Sequence, residues 1–370
     1  MNKINDLSDA YQHGYTTKDI INQMQPFDPQ LQQELAQELH TEVRQLEQQL
    51  QQKKQALLQL LPEQPLQHLQ QHAPQFQLQD SWQRFERRNK KLENPFPLPW
   101  ASLEHQLSGG LWPGLHILIG NTGTGKSQWA LQIALYAIKR ECPVLYVALE
   151  LSPDDVNARL LALQSNIHWS DLWHGKTHAL QNAEKALQEL QTLPFHQATV
   201  PPYGWDYTQL HPLANAIQQH YRKPPLIIID FLQLISHPPL AREDLRTCIR
   251  KTAYVARATA RELHCPILML SSTARDKYNQ LAGVEGNLFE RPATLMIGLA
   301  KESGEIEYAA DSVLVLAKPP NPKPNTNPEH NLVYLGIAKR RTGKPGAWLP
   351  FTFNGARFEE STPKDWSTAR

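Results

Sequence analysis

Gly120-Asn121-Thr122-Gly123-Thr124-Gly125-Lys126-Ser127 has the spacing G-x-x-x-x-G-K-[ST]. Glycines at the two ends let backbone N–H groups turn inward around a phosphate, and a helix starting at the last residues adds its partial positive charge. Lys126 then reaches the terminal phosphates, and Ser127 offers a hydroxyl to Mg²⁺. The pattern arises by chance on the order of once in a hundred chains of this length, before its flanks are considered. Here the apolar run Leu115 to Ile119 precedes it and helical spacing begins at Gln128, so strand, loop and helix follow in the required order. The expected nucleotide-binding set is the whole loop, residues 120 to 127, with Gln128 at the helix start.

Phosphoryl transfer needs two more carboxylates. Leu226-Ile227-Ile228-Ile229-Asp230 is four apolar residues ending in an acid, the form of a strand buried on both faces whose tip organises hydrated Mg²⁺. An aspartate after a strand is otherwise a turn or a cap; beside the upstream loop, Asp230 reads as the Walker B aspartate. Val144 to Leu149 delivers Glu150 at the end of the next strand, where it would orient the attacking water. The competing role of Glu150 is to cap the helix that Ser152-Pro153-Asp154-Asp155 begins.

These residues must be carried by a sheet. Beyond Pro99, apolar runs at 115–119, 144–149, 226–229, 266–270, 312–316 and 332–337 alternate with helical patterns such as Ala130, Ile133, Ala134, Ala137 and Ile138. A second helical pattern is Leu245, Ile249, Thr252 and Val255. Strands separated by helices imply an α/β fold with a mainly parallel central sheet covered on both faces. Residues 319 to 328, PPNPKPNTNP, read as an exposed loop.

Composition changes near residue 95, which divides a Gln-rich helical region, 1–95, from a domain spanning 96–370. Leu35, Leu39, Val43, Leu46, Leu50, Leu57 and Leu61 keep spacings that make one long amphipathic helix over about 29–61. Its stripe needs a partner surface, on its own chain, a second copy or another protein. A shorter basic helix over about 81–92 leads into the Pro-rich joint.

The chain has 370 residues, 37 Lys and Arg against 36 Asp and Glu, and a formal charge of +1, so any polyanion contact must come from local loops or from repetition around a ring. Cys142, Cys248 and Cys265 lie far apart with no CxxC spacing, against a disulfide framework or a structural zinc site, and the 15 histidines show no metal spacing. No apolar run is long enough for a bilayer, so a soluble cytoplasmic protein is expected.

With these motifs in place, the chain from about Trp100 to Glu360 resembles the RecA-like ATPase domain of DnaB-type replicative helicases. The resemblance rests, in order, on GGLWPGLHILIGNTGTGKSQWALQIA, VLYVALELSPDDVNARLLA, PLIIIDFLQLI, ARELHCPILMLSSTAR, KESGEIEYAADSVLVL and IAKRRTGKPGAWLPFTFNGARFEE. It implies a RecA-like P-loop NTPase that uses ATP and Mg²⁺, forms a ring of identical subunits, expected to be a hexamer, and moves on single-stranded DNA. It also implies that Gln233 couples the nucleotide to a DNA loop, and that Lys339 and Arg341 reach the phosphates of the neighbouring subunit, Arg340 being the variable member. A solvated basic turn or a DNA-backbone contact is the competing role for 339–341. Lys277, Arg291 and Lys301 fall where the family's channel loop would lie. Two departures stand out. Ser271-Ser272-Thr273 replaces the family's Ser-Gln, which leaves the phosphate-sensing step either weaker or carried by Thr273, and residues 1–95 do not resemble the helical domain that meets primase. The alternatives to a helicase are an ATP-dependent assembly switch that recruits a partner through the N-terminal helix, or a recombination-type DNA-remodelling ATPase.

Overall fold

The computed structural model describes residues 45, 48–49, 52–53, 78–198, 205–230, 245–273, 288–298, 304–319 and 332–361. Two compact units divide between Glu86 and Arg87. Of the helix expected over 29–61, Gln45, Gln48, Gln49, Gln52 and Lys53 are helical and exposed; its apolar stripe lies outside the described residues, as does most of the loop at 319–328.

Helix α1 (Leu78–Asn89) begins and ends three residues earlier than its expected range. It is closed by a Schellman motif: the Leu92 amide donates to the Arg87 carbonyl and the Lys91 amide to that of Arg88, with Lys91 at φ 55°. Arg88 bonds Glu93 and lies over the Trp112 ring, and Phe96 pairs with Leu111. These contacts tie the residues from Arg87 onward to the second unit.

The remaining elements run α2 (Ala101–Gln106), β1 (Gly114–Gly120), α3 (Lys126–Ile138), β2 (Val144–Ala148), α4 (Pro153–Ser165), α5 (Trp169–Trp173), α6 (Thr177–Leu190) and β3 (Phe195–Ala198). They continue α7 (Leu210–Tyr221), β4 (Leu226–Asp230), α8 (Leu245–Glu262), β5 (Pro266–Ser272), α9 (Gly304–Ala309), β6 (Ser312–Ala317), β7 (Leu332–Arg340), β8 (Trp348–Phe353) and β9 (Phe358–Glu360). One nine-stranded sheet results, ordered β3-β2-β4-β5-β1-β6-β7-β8-β9. The six strands from β3 to β6 are parallel, and β7, β8 and β9 add an antiparallel edge.

Because β1, β2 and β4 are buried along their whole length, their side chains feed two cores. On one face Leu118, Tyr146, Ile228 and Leu270 meet α3, whose Ala130, Ile133, Ala134, Ala137 and Ile138 are all buried as their spacing requires. On the other Ile117, Val147, Ile229 and Met269 meet α8 through Ile249, Ala253 and Ala256. Trp100 stacks on Trp129 at 3.8 Å, and Phe351 and Phe358 close on Trp129 edge-on, which fastens the β8–β9 hairpin to α3. Among the described residues no helix is long and apolar enough to cross a membrane. His116 is a core histidine, buried between Ser312 Oγ and the Trp112 carbonyl, and burial holds its pKa below the usual imidazole value.

Candidate functional site

β1 ends at Gly120 and α3 starts at Lys126, so the loop between them sits at the carboxyl end of the parallel strands, where open α/β sheets bind ligands. Gly125 caps α3 in the left-handed region at φ 94°. A Cβ there would come within 2.7 Å of the Phe358 ring and 3.1 Å of Phe353, so both its backbone and its neighbours demand glycine. The amides of Lys126, Ser127 and Gln128 are first-turn donors with no partner inside the helix, and the first turn carries no acidic residue.

Lys126 Nζ donates to the carbonyls of Gly120 at 2.8 Å and Asn121 at 3.1 Å. Burial lowers its pKa, and the charges of Asp230 and Glu150 oppose that shift. Those three charged side chains, far apart in sequence, are therefore electrostatic neighbours. Glu150 is exposed just past β2, whereas Asp230 at the tip of β4 is 1% exposed. Burial raises the Asp230 pKa, while hydrogen bonds from Tyr146 and Ser127 favour its charged form. Glu150 does not cap α4; Ser152 does, in a capping box with Asp155.

Thr273, buried after β5, hydrogen-bonds through its hydroxyl to Asn121 Oδ1 in the loop. Thr273 thus touches the phosphate loop. Lys318, beyond β6, donates to the Gly123 carbonyl at 2.8 Å. Sequence reasoning missed Lys318, since nothing in its neighbours marks it; only the pairing of β6 beside β1 brings it to the loop. The Gln128 side chain is 2% exposed and points into the core, donating to the Ala356 carbonyl at 2.6 Å and accepting from Arg159. A buried amide must satisfy its hydrogen bonds, which leaves only the Gln128 backbone N–H for a ligand.

Lys339 and Arg341 lie elsewhere. Gly120 pairs with Leu316 and His116 with Ser312, while Ser312 pairs with Arg340. Four strand residues, about 13 Å at ~3.3 Å each, therefore separate the level of the phosphate loop from that of Arg340. Arg341 pairs with Asp311 at 3.1 Å and donates to the Tyr308 carbonyl. Lys339 donates to the carbonyls of Glu307 and Tyr308 at the end of α9. Burial and the neighbouring Arg341 charge lower the Lys339 pKa. Arg340, on the opposite face by strand alternation, bonds the Gln106 carbonyl and Ser108. Asp311, not singled out from sequence, organises this end: its Oδ2 accepts from the Leu115 amide and its carbonyl from the Arg341 amide.

Gln233, Lys277 and Lys301 lie outside the described residues. Arg291 is half-buried, and its carbonyl accepts from Trp348 Nε1 at 2.9 Å. Among the described residues no group of three or more His, Cys, Asp and Glu could hold a metal ion, so a cation at Ser127 and Asp230 would take the rest of its shell from water and phosphate oxygens.

A solved structure described as an ATPase domain superposes with a TM-score of 0.66 at 18% identity, covering 78% of this chain and all of that one. A structure titled as a DnaB-like replicative helicase and its interactions with primase gives a TM-score of 0.65 at 18% identity, covering 86% and 78%. Both show a shared RecA-type fold. In sequence, the chain is 26% identical over 257 residues to a probable replicative DNA helicase of Trieres chinensis, covering 68% of this chain and 54% of that protein. It is 27% identical over 254 residues to the replicative DNA helicase DnaB of Geobacillus stearothermophilus, covering 68% and 53%. The chain spans about half the length of these relatives. A family model matches residues 99–360, from the joint after α1 to the end of β9 and across the phosphate loop and the strands that lead to Glu150, Asp230 and Lys339, so the chain belongs to the family of DnaB-like helicase C-terminal domains.

Proposed function

We propose that the chain is the motor part of an ATP-dependent DNA helicase that hydrolyses ATP between subunits of a ring, expected to be hexameric, and moves on single-stranded DNA. One observation carries this reading. The phosphate loop and the cations Lys339 and Arg341 occupy opposite ends of one sheet, too far apart to serve the same nucleotide within a subunit. A second copy presenting Arg341 to the loop completes the site, and hydrolysis then depends on assembly.

Ser127 and Asp230 fit a hydrated Mg²⁺: the carboxylate is buried, bonded to Ser127 and beside Lys126. When bound there, Mg²⁺ neutralises charge on the phosphate oxygens. The amides of residues 123 to 128 and Lys126 bind and orient the phosphates of ATP. Glu150 holds the attacking water in line and takes its proton. Arg341 and Lys339 from the neighbour stabilise the charge on the transferring phosphoryl group. Thr273 senses the phosphates through Asn121 and passes the signal to the segment that follows, where Lys277, Arg291 and Lys301 would face DNA from each copy in the ring. Gln233 links the same site to that segment.

The test is ATPase rate against single-stranded DNA concentration, with oligomeric state followed by light scattering. DNA stimulation that is lost in Glu150→Gln and Arg341→Ala, with assembly intact, is the expected result. A rate indifferent to DNA, with ATP changing only the assembly state, replaces the motor with an assembly switch.

A further inference from the structure

β2 is buried from Val144 to Ala148, and four of its five side chains are aliphatic. The fifth is Tyr146, fully buried in the sheet face that meets α3. A phenol placed there must find a partner for its hydroxyl or lose its hydration without return. The partner is the one carboxylate of the proposed metal site: Tyr146 Oη donates to Asp230 Oδ2 at 2.6 Å.

The register explains the reach. Tyr146 pairs with Ile228 and Ala148 with Asp230, so Tyr146 stands two residues upstream of Asp230 on the same face. The side chain directly beside Asp230 is the small Ala148, which leaves the carboxylate accessible to the longer ring behind it. Phenylalanine would fill the same apolar space, with Phe195 6.0 Å away as a ring neighbour. The hydroxyl is thus the part of Tyr146 that packing does not require.

We infer that Tyr146 is a positioning residue for Asp230: its hydroxyl holds one carboxylate oxygen from within the core and so presents the other, together with Ser127, toward the phosphate loop. This inference rests on the nucleotide-binding reading above. A carboxylate tethered at one oxygen keeps a single rotamer; released, it loses that orientation and leaves an acceptor buried without a donor.

The experiment titrates Mg²⁺ against binding of a fluorescent ATP analogue by the full chain, for wild type, Tyr146→Phe, Asp230→Asn and the double variant, with thermal unfolding of each. Tyr146→Phe is expected to raise the Mg²⁺ concentration for half-maximal binding about 3- to 10-fold, the size of one ordinary hydrogen bond, and to lower kcat comparably while the KM for Mg²⁺-ATP at saturating Mg²⁺ stays near that of wild type. In the Asp230→Asn background it should change neither the titration nor the unfolding temperature by as much as it does alone. An unchanged titration with only a lower unfolding temperature makes Tyr146 a core residue and overturns the inference. So does a shift that persists undiminished without the Asp230 carboxylate. If wild type does not bind the analogue at all, the nucleotide-site reading fails and the inference with it; if it binds without regard to Mg²⁺, the nucleotide site stands and the inference about Tyr146 and Asp230 is overturned.

Discussion

The two ends of the central sheet handle charge in opposite ways. At the carboxyl end of the parallel strands, Asp230 is sunk 1% exposed among aliphatic neighbours, and Lys126 and Glu150 surround it. At the far end the charges are cations, Lys339 and Arg341, held open by Asp311 and by carbonyls of α9. One end gathers backbone donors, a lysine and a carboxylate around the phosphate loop; the other presents an arginine and a lysine away from it. Under the proposed function, a head-to-tail ring would bring the two ends of neighbouring copies together.

The sharpest way to break this comparison is Arg341→Ala, for which we expect the DNA-stimulated ATPase rate to fall about 10³-fold or more while binding of the fluorescent analogue is retained. Mixing Arg341→Ala with Lys126→Ala subunits should restore part of the rate, because some interfaces then pair an intact loop with an intact arginine. Failure of the mixture to exceed either variant would place the arginine outside the neighbour's site. Glu150→Gln should cost about 10²- to 10⁴-fold in single-turnover hydrolysis with nucleotide affinity preserved; an equal loss in binding would make Glu150 a ligand and not a base. Asp311→Asn loosens the far end only. Since the Arg341–Asp311 pair is partly exposed, its rate should fall about 2- to 5-fold, visible as a lower kcat at unchanged KM. Gln128→Leu sharpens the comparison from the structural side. Removing its bond to the Ala356 carbonyl should lower stability by about 1 kcal/mol in chemical denaturation and leave analogue affinity near wild type, if only the backbone of residue 128 serves the loop.

The phosphate loop is legible because its chemistry is local: eight consecutive residues, a strand before and a helix after. The buried parallel strands are legible for the same reason, as runs such as Leu226 to Ile229 admit few other structures. β8 and β9 are not, since β8 contains Pro350 and β9 is three residues long; their place on the sheet edge is decided by packing of Phe351 and Phe358 on Trp129. Gln128 follows the loop in sequence and reads as part of it, but the β8–β9 turn claims its side chain.

What the sequence by itself determined is the order of the motifs, the strands that carry them and the family to which they belong, because each depends on neighbours within a few residues. Tertiary structure decided which side chains meet: Tyr146 with Asp230, Thr273 with Asn121, Arg341 with Asp311. It also decided that the arginine stands at the opposite end of the sheet from the loop. Those pairings depend on strand order and register, and β1 lies between β5 and β6, the strands that follow it by well over a hundred residues. No local pattern encodes that neighbourhood; it arises when the two buried faces of the sheet are filled together.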